Sequence, residues 1–255
     1  MKIFVFGLPG SGKSTAIRHI QAILARKGIE VKSFNDYTIL RKWFEREPDG
    51  PRFSRTDYDG FDIHDFAVFD EVLKKLEQQI SRETSSNDVI IIEFARNDYV
   101  HALKQFSASF LQGSYFLFIK AEISTCKKRT RKRAIHRVSS DDHFVSDYIF
   151  DKYYFKDIDD DISSVSSFVN TLPDEQSSFL QTSIAQKITV IKNLKRTQQE
   201  EFKMAIQQFI WSVVSRIDLI SDKSRKQIMK RKNPTPQRKR AKHGLKRNVP
   251  LLVKV

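Results

Sequence analysis

Nine residues near the N-terminus, Gly7-Leu8-Pro9-Gly10-Ser11-Gly12-Lys13-Ser14-Thr15, carry the clearest chemistry in the chain. They match the pattern G-x-x-x-x-G-K-[ST] in full. Glycines at this spacing let the backbone wrap closely round a phosphate. Successive N–H groups then point inward, and a helix starting at the end of the loop adds partial positive charge. In such a cradle Lys13 reaches the β- and γ-phosphate oxygens of a nucleoside triphosphate, and the Ser14 hydroxyl coordinates magnesium. Gly7, Pro9, Gly10, Ser11, Gly12, Lys13, Ser14 and Thr15 are the candidate nucleotide-binding residues, with Ser14 also a metal ligand. The competing reading is a plain Gly-rich turn between strand and helix.

The flanking elements favour the phosphate loop. Residues 2–6 form an apolar run that reads as a buried strand. Residues 14–27 place Ile17, Ile20, Ile23 and Leu24 at helical spacing, with Gly28 as a C-terminal cap. Further strands are expected at 30–34, 89–92 and 115–119, with a fifth at 165–169. Helices are expected over 64–82, 98–111, 123–136 and 146–155. Residues 40–62 show no clear period and read as an irregular, partly helical excursion. Apolar strands alternating with helices imply an α/β fold, a parallel sheet covered on both faces. Residues 196–222 read as an amphipathic helix packed on the core, its stripe including Phe202, Ile206, Phe209 and Val213.

The charge is unevenly placed. The net charge is +14 over 255 residues. Residues 223–255 hold 13 Lys and Arg with no Asp or Glu, while residues 1–222 hold 32 Lys and Arg against 31 Asp and Glu. Basicity therefore belongs to an appendage that reads as disordered, and says little about the site. The single cysteine, Cys126, excludes an intrachain disulfide and suits a reducing compartment, so the expected location is cytoplasmic. No stretch approaches the roughly 18 apolar residues of a membrane span, so no membrane partner is expected.

A GTPase would carry a guanine-reading Asn-Lys-x-Asp stretch and a D-x-x-G turn after the third strand, and neither is in place. An ABC-type ATPase needs a signature loop and more chain, and an oligomeric AAA+ machine is normally longer. Residues 1–195 resemble the P-loop nucleoside monophosphate kinase-like superfamily of adenylate, shikimate, gluconate, deoxynucleoside and zeta-toxin-like kinases. The resemblance implies a P-loop NTPase three-layer sandwich with a parallel five-stranded sheet in the order 2-3-1-4-5. It also implies ATP with Mg2+, a small-molecule phosphate acceptor bound after strand two, and an Arg-bearing lid over about 123–146.

On that resemblance Asp36 sits near the acceptor hydroxyl, where a carboxylate accepts a proton or orients the nucleophile; an ordinary Asx turn or helix cap is the alternative. Glu93, ending the third strand, stands where an acid faces magnesium, although relatives often have Asp there. Arg96 stands where an arginine grips the acceptor; a solvated helix-start arginine is the alternative. Arg129, Arg133 and Arg137 recur every four residues and so share one helix face. In a lid they would bind the triphosphate, Arg133 acting in catalysis; a solvated basic helix or a nucleic-acid patch is the alternative. Asp141-Asp142-His143 reads as a surface cluster. Arg41, Arg46, Arg52 and Arg55 suggest an anionic acceptor, while Trp43, Phe44, Phe53, Tyr58 and Phe61 suit a base. A nucleotide or nucleoside fits that mixture best. Two other classes stay open: a nucleic-acid-directed ATP enzyme contacting phosphate backbones non-specifically through 223–255, and a regulatory ATPase docking through an exposed 196–222 helix.

Overall fold

Parallel pairing of short apolar strands organises the chain. The computed structural model describes residues 1–136, 143–155, 158–172, 188–193 and 199–214. Strands β1 (Lys2–Phe6), β2 (Val31–Asn35), β5 (Val89–Phe94), β6 (Tyr115–Lys120) and β7 (Ile188–Lys192) form one sheet in the order β2-β5-β1-β6-β7, every neighbouring pair parallel. Numbered along the sheet's own strands this is 2-3-1-4-5, the order that the resemblance implies. A separate antiparallel hairpin pairs β3 (Phe53–Thr56) with β4 (Gly60–Ile63). Met1–Val213 is one compact unit.

Both faces of the sheet are covered because the central strands are apolar at successive positions. Phe4 and Phe6 pack against Phe94, Phe116 and Phe118 on one face, mostly tilted or edge to face. They share a core with α3 (Val68–Glu83), α4 (Tyr99–Leu103) and α8 (Ile158–Thr171). Ile3, Val5, Ile91 and Leu117, fully buried, alternate to the other face. Helix α1 (Lys13–Ala25) contacts β1 and β2 through a buried stripe of Ala16, Ile17, Ile20 and Leu24. Residues 199–214 form a further helix, α9, with Phe202, Ile206, Phe209, Ile210 and Val213 buried. The stripe that a docking helix would need exposed is thus covered in the described part. Among the described residues no helix is long and apolar enough to cross a membrane.

Three expectations change. Residues 165–169 are helical, inside α8: Val165, Phe168 and Val169 stand at the three- and four-residue spacing of a helix face, and Val165 and Val169 are buried there. β-branched valines drew the strand reading, but tertiary burial overrides that preference. The fifth strand is β7. The 40–62 excursion is regular, made of α2 (Tyr37–Arg46) and the β3–β4 hairpin. The expected 98–111 helix breaks into α4 and α5 (Ala108–Leu111), because Ser107 caps α5 at Phe110 N and is itself held by Glu77. Helices α6 (Ile123–Ile135) and α7 (Asp147–Lys152) fall where expected. The basic tail, Arg137 and Asp141-Asp142 lie outside the described residues.

Candidate functional site

The phosphate loop leaves β1 at Gly7 and enters α1 at Lys13. Two glycines are required by space as well as by φ. Gly7 has φ +144°, and a Cβ there would run into the Ile119 carbonyl oxygen. Gly10 has φ +81°, and its Cβ would lie 2.6 Å from the Cys126 carbonyl oxygen. Helix α1 begins without a side-chain cap and with no acidic residue in its first turn. Its first amides therefore keep their capacity for an anion. Lys13 is only 7% exposed. Its Nζ donates to the Gly7 carbonyl at 2.9 Å and the Leu8 carbonyl at 3.1 Å, and lies 3.8 Å from Glu93 Oε1. Burial pulls the Lys13 pKa below its ordinary value; the Glu93 charge opposes this, and Arg133 adds to it. Ser11 Oγ is buried without a hydrogen-bond partner among the described residues.

The other candidates gather at the carboxyl ends of β1, β2 and β5, where ligands bind in open parallel sheets. Register places Val5 and Asn35 opposite Glu93. The Ser14 hydroxyl faces Glu93 Oε1 at 3.5 Å, spacing suited to two groups that share a cation. Asp36 makes no capping hydrogen bond. Asn35 makes the turn contacts instead, its Oδ1 accepting from the Thr38 amide at 2.9 Å. Asp36 Oδ2 accepts from Arg96 Nη1 at 2.5 Å, with the two residues 7% and 2% exposed. Arg96 also donates to the Ala95 and Phe69 carbonyls, and its guanidinium lies over the Phe69 ring at 4.7 Å. It is therefore a buried, neutralised cation, not a solvated one. Asp36 Oδ1 takes no hydrogen bond among the described residues.

A family profile described as AAA domain matches residues 6–145, more than half of the 255-residue chain. The chain belongs to the AAA domain family. Its sheet order is the one that the resemblance to the P-loop nucleoside monophosphate kinase-like superfamily implies. No curated protein matches it. Similar solved structures include Chaetomium thermophilum Kti12 in complex with ADP-AlF3, at 16% identity over 82% of this chain and 99% of that one, TM-score 0.46. The Mycobacterium tuberculosis APS kinase in complex with AMPPNP and APS is 17% identical over 54% of this chain and 72% of that one, TM-score 0.39. Shikimate kinase from Acinetobacter baumannii in complex with shikimate is 14% identical over 84% and 93%, TM-score 0.39.

In this AAA domain one cavity of about 740 Å³ spans the site, a size typical of small-ligand pockets. Pro9, Gly10, Gly12, Lys13, Ser14 and Thr15 line it, whereas Gly7 and Ser11 lie behind the lining. Asp36, Glu93, Arg96, Arg129 and Arg133 line it too. Arg129 and Arg133 sit one turn apart on α6. Arg129 donates to the Gly10 and Ser11 carbonyls at 3.4 Å, while Arg133 Nε is buried without a partner among the described residues. Lys127 and Arg131 instead pair with Asp147 and Asp151 of α7 or its start. Arg41, Arg46, Arg52 and Arg55 do not line the cavity, nor do Trp43, Phe44, Phe53 and Tyr58; of the expected aromatics only Phe61 does. His143, half-buried, lines the cavity and stacks on Tyr37 at 3.7 Å.

Two positions held no signal in the sequence. Tyr99 is fully buried among the phenylalanines, and its hydroxyl accepts from the Gly7 amide at 2.9 Å. Asn193, just past β7, donates through Nδ2 to the Ser11 carbonyl at 2.7 Å. Tyr99→Phe leaves the Gly7 N–H buried without an acceptor, a loss of about 1–3 kcal/mol. Urea unfolding should show that loss as a lower midpoint at unchanged slope. An unaltered midpoint would mean that the amide finds another partner.

Proposed function

We propose that this AAA-domain protein is a kinase, an ATP-dependent phosphotransferase that moves the γ-phosphate of Mg-ATP to a small-molecule acceptor, a nucleotide or nucleoside. One observation carries the reading: a single cavity joins the Lys13 loop to the Asp36 carboxylate. A protein that only senses ATP needs the loop, but not a second compartment beside a buried carboxylate. The residues suit a bound triphosphate. Backbone crowds Gly7 and Gly10 so closely that only glycine fits, α1 starts uncapped, and Ser11 Oγ lacks a partner among the described residues. Ser14 and Glu93 would hold magnesium, which when bound neutralises charge on the β- and γ-oxygens.

The chain's own groups then have distinct tasks. Lys13 and Arg133 place positive charge where negative charge grows on the transferring group. Asp36 offers Oδ1 to the acceptor hydroxyl, orienting it and accepting its proton. Arg96, holding Oδ2, fixes that carboxylate in place as a positioning residue. Side chains of α6 and of residues 143–145 wall the cavity, so water is kept from competing with the acceptor. Calorimetry of the full chain with magnesium and a non-hydrolysable ATP analogue should give saturable heat, and Glu93→Gln should weaken binding only when magnesium is present. No heat and no thermal shift at millimolar analogue would remove the reading.

A further inference from the structure

Resting on that kinase reading, we propose that the acceptor is an uncharged nucleoside, not a nucleotide or another phosphorylated compound. Its base lies against an aromatic wall, and a sugar hydroxyl meets Asp36 Oδ1.

The cavity is electrically lopsided. Its cations cluster on the phosphate-loop side: Lys13, Arg18, Arg129, Lys132, Arg133 and Lys203. Among the described residues the compartment beyond Asp36 holds one guanidinium, Arg96. That group is already occupied. Nη1 serves Asp36 Oδ2 and the Ala95 carbonyl, Nη2 serves the Phe69 carbonyl, and only the buried Nε lacks a partner. Three of its five N–H groups are thus bound, its charge is neutralised by Asp36, and with Nε buried and the residue 2% exposed it is poorly placed to grip a phosphate. A phosphate ester carries nearly two negative charges at neutral pH, and beside the Asp36 carboxylate it would find no free cation among the described residues.

The arginines that follow β2 do not supply the missing charge. Arg41 pairs with Glu45 at 2.8 Å and with Asp59 at 3.0 Å. Arg52 bridges Glu47 at 3.3 Å and Glu71 at 3.5 Å, and Arg55 meets Asp49 at 3.6 Å. Arg41 and Arg52 thereby tie the β3–β4 hairpin to α2 and α3. Their effect on the site is indirect: they hold the strand that presents Phe61 and Ile63 to the cavity.

What the compartment does offer is flat rings. Tyr37 lies parallel to His143 at 3.7 Å and to Phe61 at 5.9 Å, with interplanar angles of 12° and 7°. Phe69, Phe144 and Tyr154 complete the wall. The Tyr37 ring is already engaged by His143 and Phe61, so a nucleobase would stack on the rings that remain at the cavity wall, His143, Phe144 and Tyr154. A polyhydroxylated sugar or hydroxy acid needs many hydrogen-bonding partners, and Asn35, Asp36 and the tyrosines are few.

The test is a transfer assay on the full chain with labelled ATP and magnesium. It sets common nucleosides against their 5′-monophosphates, a phosphosugar and a sugar acid. The expected result is kcat/KM for at least one nucleoside about 100-fold or more above that for its own monophosphate. Charged compounds accepted as well as or better than every nucleoside would overturn the inference while leaving the kinase reading intact. No transfer to any compound, with the nucleotide still bound, would end both. Arg46→Ala and Arg55→Ala should leave nucleoside KM within about twofold, as surface changes do. A tenfold rise would put those arginines in the site and overturn the inference.

Discussion

Lys13→Ala is expected to lower the rate of γ-phosphate transfer by about 100–1,000-fold, which corresponds to roughly 3–4 kcal/mol of lost transition-state stabilisation. The size follows from where the ammonium sits. It is almost wholly buried, so its field is screened little by water. It also grips the Gly7 and Leu8 carbonyls, holding the loop in shape. Folding is expected to suffer far less than catalysis. Burial already disfavours the charged form of Lys13, as its lowered pKa records, so removing the charge also removes a desolvation cost. Glu93 loses the ammonium at 3.8 Å, but its side chain keeps 20% of its surface in solvent. Single-turnover transfer rates alongside urea unfolding without nucleotide separate the two effects. Transfer at the parent rate would remove Lys13 from the chemistry.

The difference between what the sequence announced and what it hid is physical. A phosphate cradle must be built from consecutive amides, so Gly7 to Thr15 are contiguous and legible. Buried parallel strands need unbroken apolar runs, so β1, β5 and β6 were legible too. The hairpin was not, because its Asp-Gly pair, Asp59-Gly60, stands one residue past the two central positions of the turn. Tyr58 and Asp59 adopt positive φ of 57° and 56° without a glycine at either position, where Asn-Gly or Asp-Gly is the common choice. The turn is closed by the Gly60 amide bonding to the Asp57 carbonyl at 3.2 Å. Partners distant in sequence were hidden as well. Tyr99 is 92 residues from Gly7, and Asn193 is 182 from Ser11. Nothing local marks either one. Charge misled in the same way. Arg41, Arg52 and Arg55 show their sign in the sequence, but not the carboxylates that face them, so they resembled ligands for an anion. Asp36 and Arg96 were each legible as site residues, yet their bond to one another spans 60 residues.

That bond makes Arg96→Leu the most destabilising single change expected in the site. The substitution leaves the Asp36 carboxylate buried beside new apolar surface with its charge uncompensated, and breaking such a pair typically costs about 3–5 kcal/mol. The Phe69 carbonyl loses its donor at 2.9 Å, and the ring contacts at 4.7 and 5.4 Å with Phe69 and Phe94 lose their cation. Adding Asp36→Leu should recover most of the loss, since two apolar side chains replace an ion pair with little net change. The coupling between the two positions is then large and favourable in a double-mutant cycle. Catalysis should not follow stability. The double variant folds but has no carboxylate to meet the acceptor hydroxyl, so transfer stays low while ATP-analogue affinity returns. A structural pair without a role in the reaction predicts the opposite, recovery of transfer together with the unfolding midpoint. Measuring the midpoint, the analogue affinity and the transfer rate on the same three variants decides between them.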